Sequence, residues 1–226
     1  MRLSLVILCY NERVGLEALL DRIPRDAVEE ILAVDGGSRD GSVELLRAAG
    51  IPIHGQSERG RGEAFRVAFQ EAKGDALVFF SPDGNEDPRD IPRFREYLER
   101  GCDMVIANRM SGGGRNEEDD RWLRWRKWAN LAFTLMANVT WNRGGWVADT
   151  INGYRAISRS AWERMRASSS GYTIEYECSI RAFKHGLKVA EFATSEGARL
   201  DGREGSPSLA TGIAFLKLYA RELFHR

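Results

Sequence analysis

The sequence predicts an α/β fold: a mostly parallel sheet covered by helices on both faces. Two observations carry this reading. Short, continuous apolar runs rich in Val, Ile and Leu alternate with helical apolar spacing through residues 1–110, and each apolar run stops at a polar cluster. Strands buried on both faces read as unbroken apolar runs, because crossover helices cover both sides of a parallel sheet.

The elements follow in order. "LSLVILCY" (3–10) is a buried strand and "VGLEALLDRI" (14–23) a helix with apolar residues at helical spacing. "EEILAVDGGS" (29–38) is a second strand with a polar stop, and "GSVELLRAAG" (41–50) a helix closed by Gly50. "IPIHG" (51–55) is a short strand, "GEAFRVAFQEAKG" (62–74) a helix and "DALVFFS" (75–81) a strand. "DIPRFREYLERG" (90–101) and "DMVIAN" (103–108) give one more of each. The segment 111–120, "SGGGRNEEDD", reads as a mobile charged loop, and 121–141 as a long helix. A loop, strand and helix occupy 149–165, a helix 174–186, a strand 187–194, a basic Gly-rich loop 198–209 and a terminal amphipathic helix 209–224.

Composition narrows the class. With 226 residues, 43% hydrophobic and 29% charged, the chain is an ordinary globular protein with ample length for a core. Lys plus Arg equals Asp plus Glu at 33 each, so no global field recruits nucleic acid. Cys9, Cys102 and Cys178 are widely spaced, without C-x-x-C spacing, and read as reduced core thiols of a cytoplasmic protein. His54, His185 and His225 fit no motif and read as surface or packing residues. The N-terminal apolar run is too short for a signal peptide, and no stretch approaches the roughly 20 apolar residues that span a bilayer, so membrane contact would be peripheral. Five of the six Trp lie between 122 and 146, with Arg124, Arg126 and Lys127 among them. That pattern suits a lipid–water interface, and it also suits a helix packed on the sheet.

In such sheets ligands bind beyond the carboxyl ends of the strands. Those ends read Tyr10-Asn11-Glu12, Asp35-Gly36-Gly37-Ser38, Asp83-Gly84-Asn85 and Asn108-Arg109. A capped, solvated turn accounts for any one of them, whereas four in succession point to a site. The third is followed closely by Glu86 and Asp87, a concentration of hard oxygen ligands.

The ordered set "CYNE", "VDGGSRDGS", "GRGEAF", "SPDGNEDPRDIP", "ANR", "DTINGYRAISR" and "REGSPS" resembles the family 2 glycosyltransferases of GT-A (Rossmann-like) fold, most of all the dolichyl-phosphate mannose synthase and polyprenyl-phosphate hexosyltransferase group. The resemblance runs from Leu3 to about Leu209. It implies a single domain over 1–226, with a donor half (1–110) and an acceptor half (111–226) as a C-terminal extension. Tyr10, Asn11, Glu12 and Asp35 then hold the nucleotide, with Arg61 and Asp83 beside the donor, and Gly36 stands where the family usually has a second acid. Asp83, Asn85 and Asp87 correspond to the group's metal element, one carboxylate short at Asn85, and would hold Mg²⁺ or Mn²⁺ on the donor diphosphate. Arg109, Arg126, Asn130 and Arg203 fall where the group grips a lipid phosphate, usually with Ser at the Asn130 position. Asp149, ahead of "INGYR", lies near sugar and acceptor.

The resemblance therefore implies an inverting transferase moving a hexose from a donor of the GDP-mannose or UDP-glucose type to a polyprenyl or dolichyl phosphate. A phosphate acceptor is already anionic, so positioning in line with the anomeric carbon does most of the work. A soluble enzyme acting on a saccharide or small-molecule hydroxyl, with Asp149 as base, is the alternative within the family. Gly36 and Asn85 also leave open a non-catalytic nucleotide-sugar-binding protein.

Overall fold

The computed structural model describes residues 1–110, 113–114, 125–200 and 208–224, with only the backbone described for Trp125, Arg126, Ser208 and Leu209. The segment expected as a mobile charged loop (111–120) and the Gly-rich loop after residue 200 therefore fall largely outside the described residues, as do Trp122, Arg203 and His225.

Seven strands form one sheet among the described residues, in the order β3-β2-β1-β4-β6-β5-β7. They are β1 (Leu3–Cys9), β2 (Glu30–Asp35), β3 (Ile53–Gly55), β4 (Ala76–Phe80), β5 (Met104–Asn108), β6 (Arg155–Ser158) and β7 (Val189–Ala193). β1 pairs in parallel with β2 and β4, β2 with β3, and β5 with β7. β6 is antiparallel to both neighbours, β4 and β5. The expected mostly parallel sheet is observed. The strand order reverses between β1 and β4, which opens a crevice at their carboxyl ends.

The apolar runs are continuous because each strand feeds two cores. Val6, Leu8, Leu32, Val34, Leu77, Phe79, Met104 and Ile106 point to one face, and Leu5, Ile7, Ala33, Val78, Phe80 and Val105 to the other. Helices α1 (Arg13–Leu19), α2 (Ser42–Ala48) and α4 (Ile91–Glu99) cover the second face through Leu16, Leu46 and Phe94. Helices α3 (Arg61–Glu71), α5 (Trp125–Trp141), α6 (Arg159–Met165), α7 (Ile174–Lys184) and α8 (Ser208–Phe224) cover the first.

Helix ends differ from the periodicity for local reasons. The helix expected over 14–23 tightens into a 3-10 turn at Leu20–Arg22, since Pro24 drives Ile23 into an extended conformation. α3 stops at Glu71, short of Gly74, where Arg159 donates to the carbonyls of Phe69 and Ala72 at 2.5 and 2.6 Å. α8 is fastened to α7 by buried charge: Glu222 accepts from Arg181 at 3.0 Å and Lys184 at 2.9 Å. All three cysteines are buried and unbridged, and burial pushes the Cys9 thiol up to about 11.

Candidate functional site

The four polar strand ends come together at one edge of the sheet, on either side of the β1/β4 crevice. At the β1 end, Asn11 takes a left-handed conformation (φ 55°) that a short amide side chain tolerates. Its Oδ1 accepts from Arg39 N at 2.8 Å, and its own N–H donates to Ser38 Oγ at 2.8 Å, so the two loops lock together. Asp35 is buried and accepts from Gly37 N at 2.8 Å and Ser38 N at 3.0 Å. Its carboxylate thus shapes its own turn. Glu12 begins α1, its N–H on Ser42 Oγ. Tyr10 is exposed, with the Arg59 guanidinium 3.6 Å from its ring centroid. An aromatic face and a cation here form a platform on which a planar base can stack. Gly15 is required beside this crevice, because a Cβ there would meet the Pro82 carbonyl oxygen at 1.5 Å.

Past β4 the acidic turn is folded around Gly84, which holds φ at +99°. Asp83 is buried; its Oδ1 accepts from Asn85 N at 3.0 Å and its Oδ2 pairs with Arg199 at 2.5 Å. Asn85 Oδ1 is closed off from solvent and has no donor among the described residues. A buried amide oxygen without a donor is costly, and a hard cation is the ligand that would satisfy it. Glu86 turns back to accept from Ser81 N at 2.7 Å, and burial together with the Asp83 charge holds its carboxyl well above the usual range. Asp87 is engaged by the residues that follow it. It caps the following 3-10 turn and pairs with Arg89 at 2.6 Å. Among the described residues no three acidic or imidazole side chains form a ready-made metal cage. Asp83 and Asn85 would have to share the ion with phosphate oxygens, the usual arrangement for Mg²⁺.

Arg61 opens α3 and reaches Ser81 Oγ at 3.2 Å while ion-pairing with Glu175 at the start of α7. Gly60 and Gly62 allow this approach, since a Cβ on Gly62 would strike the Ser169 carbonyl oxygen at 1.8 Å. Arg109, just after β5, pairs through Nε with Asp149 at 2.9 Å and through Nη1 with Glu196 at 2.7 Å. Burial opposes its charge, but these two carboxylates outweigh that and raise its pKa. Asp149 is 1% exposed, and its second oxygen accepts from Asn152 N at 3.1 Å. The loop carrying it is pinned by fully buried Arg155, which donates to the carbonyls of Asn152, Thr150 and Glu175.

Of the expected acceptor residues, Asn130 lies partly buried on α5, Arg126 is described by its backbone alone, and Arg203 lies outside the described residues. α5 buries Phe133, Ala137 and Asn138, so it does pack on the sheet side. It also presents Trp128, Leu135 and Val139 to solvent at 69, 52 and 75% exposure, successively seven and four residues apart on the opposite face, and Trp146 follows at 61%. Among the described residues no helix is long and apolar enough to cross a membrane.

Glu175, Glu196 and Arg199 were not among the residues expected from sequence. Glu196 and Arg199 sit just past β7, a fifth strand end parallel to the others, so reading strand ends through to β7 would have found them. Glu175 has no such signal, since it is 114 positions from Arg61.

The family model described as Glycosyl transferase family 2 matches residues 4–166. The chain is 29% identical over 221 residues to glycosyltransferase AglJ of Haloferax volcanii, covering 94% of this chain and 69% of that one. It is 29% identical over 211 residues to dolichol-phosphate mannosyltransferase of Pyrococcus furiosus, covering 89% of this chain but only 58% of that protein's length. It is 31% identical over 205 residues to undecaprenyl-phosphate mannosyltransferase of Micrococcus luteus, covering 84% and 82%. Among solved structures, glucosyl-3-phosphoglycerate synthase from Mycobacterium tuberculosis in complex with UDP superposes with a TM-score of 0.75 at 21% identity, over 97% of this chain and 79% of that one. The same synthase with Mg²⁺ and UDP gives 0.72 at 24%, over 98% and 78%. The second pair of figures, like the first, is a likeness of fold. With the family model spanning the sheet from β1 to the end of α6, the chain belongs to glycosyl transferase family 2.

Proposed function

We propose that the chain transfers a hexose, with inversion, from a nucleotide-diphosphate sugar of the GDP-mannose or UDP-glucose type to a polyprenyl or dolichyl phosphate. The relatives named for dolichol-phosphate and undecaprenyl-phosphate transfer support the acceptor class. The observation that carries the reading is the Asp149–Arg109 pair. Both Asp149 oxygens are engaged, one by Arg109 and one by Asn152 N, so it is poorly placed to remove a proton from an alcohol. Arg109 is instead held rigid at the strand end, with neither Asp149 nor Glu196 taking its Nη2. That combination suits an acceptor that arrives already anionic.

In this reading residues 1–110 form the donor half. Tyr10, Asn11, Glu12 and Asp35 receive base and ribose, and Arg61 lies beside the diphosphate. Asp83 and Asn85 hold Mg²⁺ or Mn²⁺, which supplies Lewis-acid stabilisation of the departing nucleoside diphosphate. Asp87 joins them only if its pair with Arg89 opens. Residues 111–226 form the acceptor half, in which Arg126, Asn130 and Arg203 join Arg109 in gripping the lipid phosphate. Asp149 acts by holding Arg109 in place. The exposed Trp128, Leu135, Val139 and Trp146 meet the lipid surface, which puts a cytoplasmic enzyme peripherally at the membrane face.

The test is a donor panel, GDP- and UDP-sugars each with and without polyprenyl phosphate and divalent cation, read by mass spectrometry of the lipid. One donor should yield a hexosyl phospholipid only when polyprenyl phosphate is present. Equal or better transfer to a simple saccharide would favour the hydroxyl acceptor, and no turnover with any donor would favour the binding-protein alternative.

A further inference from the structure

After β7 the chain folds back across the acidic turn. Gly197 N donates to Asn85 O at 3.0 Å and Leu200 N to Asp83 O at 2.9 Å, so residues 195–200 lie as a strap along residues 83–85. The fit is close: a Cβ on Gly84 would lie 2.6 Å from Leu200 Cγ and 3.0 Å from the Ala198 carbonyl oxygen. The strap delivers two charged side chains. Glu196 bridges Arg109 at 2.7 Å and Asn85 Nδ2 at 3.5 Å, and Arg199 pairs with Asp83 Oδ2 at 2.5 Å. Asp83 Oδ1 meanwhile accepts from Asn85 N. Both oxygens of the carboxylate are therefore engaged, and the outer one is engaged by a cation.

We propose that Arg199 and the divalent cation compete for the Asp83 carboxylate, so that the 195–200 strap locks the diphosphate site and cation binding releases it. This rests on the reading of Asp83 as the cation's ligand. The physical basis is electrostatic: with Oδ1 already taken by Asn85 N, the guanidinium on Oδ2 neutralises the charge that would hold a cation and repels a dication brought beside it. Asn85 matters here. With an amide where a second carboxylate would stand, a single guanidinium balances the Asp83 charge, which favours the locked arrangement. A dication held by Asp83 and the Asn85 oxygen would bring two charges where Arg199 brings one, which favours release as the cation binds, and donor phosphate oxygens would add to that preference. The strap's two backbone hydrogen bonds to residues 83 and 85 couple that exchange to movement of Glu196, and through Glu196 to Arg109.

The experiment measures Mn²⁺ affinity of the full chain without donor, by electron paramagnetic resonance, for wild type, Arg199→Gln, Arg199→Lys and Asp83→Asn. Apparent affinity scales with the fraction of molecules in the competent state, so removing a lock that holds nine molecules in ten tightens Mn²⁺ binding about tenfold in Arg199→Gln. Arg199→Lys falls between, and Asp83→Asn loses the site. A second readout needs no folded variant: trypsin cleavage after Arg199 in wild type accelerates when Mn²⁺ is added. If Asp83→Asn abolishes binding while Arg199→Gln leaves it unchanged or weaker, the lock is refuted and Asp83 remains the ligand. If Asp83→Asn binds Mn²⁺ normally, the cation reading itself fails and the lock with it. Cleavage rates indifferent to Mn²⁺ also refute the lock.

Discussion

Asp149→Asn separates the two chemistries this site can be asked to perform. Asn is nearly isosteric, but its single amide oxygen can face either Arg109 Nε, now at 2.9 Å, or Asn152 N, at 3.1 Å. The other partner then meets an N–H group. Arg109 keeps Glu196 as counter-ion at 2.7 Å, so its charge is not left bare. The loss is one charge-assisted hydrogen bond, about 1.5–3 kcal/mol, or roughly ten- to a hundredfold in kcat/KM for polyprenyl phosphate. A general base in the same position would cost up to about 10⁴-fold and would remove the acid limb of the pH–rate profile. The assay is steady-state kinetics across pH with polyprenyl phosphate, alongside thermal unfolding to confirm that the variant is folded. A loss well beyond about a thousandfold with the acid limb abolished and Tm unchanged would refute the positioning role.

Other consequences follow from the same structure. Asp83→Ala should lower transfer by roughly two to three orders of magnitude, as for loss of one stabiliser of transition-state charge, and Asn85→Asp should tighten Mn²⁺ binding with activity retained; full wild-type turnover in excess EDTA would contradict both. Trp128→Ala combined with Val139→Ser should weaken sedimentation with anionic liposomes without lowering Tm, because both side chains are exposed. Glu222 is buried against Arg181 and Lys184, so Glu222→Gln should destabilise the fold by about 3 kcal/mol in chemical denaturation. Burial opposes the Glu222 charge, but those partners hold its pKa below 4.5. The stability it contributes is therefore present above pH 4.5 and lost as pH falls through the lower, folded value, a loss the Gln variant should not show.

Much of the fold was legible because the strands are short apolar runs that end abruptly, as "LVFF" does at Ser81. The placement of β6 was not. Nothing local in "RAIS" says that it inserts antiparallel between β4 and β5, or that Arg155 within it is fully buried among carbonyl groups. The orientation of α5 was undecided for another reason. Its sequence is apolar around most of its circumference, so periodicity alone cannot tell the packed Phe133–Ala137 face from the exposed Trp128–Val139 face. The strand-end acids were readable as a set, yet their pairing was not. Asp35 shapes its own turn, Asp87 turns to Arg89, and Asp83 meets Arg199 from 116 positions away, all of which tertiary geometry decides.

On the proposed function the acceptor is a lipid phosphate gripped by arginine. The most direct test of that claim is kcat/KM for polyprenyl phosphate against the polyprenol of the same length, with the preferred donor, for wild type, Arg126→Ala and Arg203→Ala. Transfer confined to the phosphate, inverted at the anomeric carbon and reduced about ten- to a hundredfold in each arginine variant through a higher acceptor KM, is the predicted result. Transfer to the alcohol at equal or greater efficiency, with both arginine variants fully active, would contradict it.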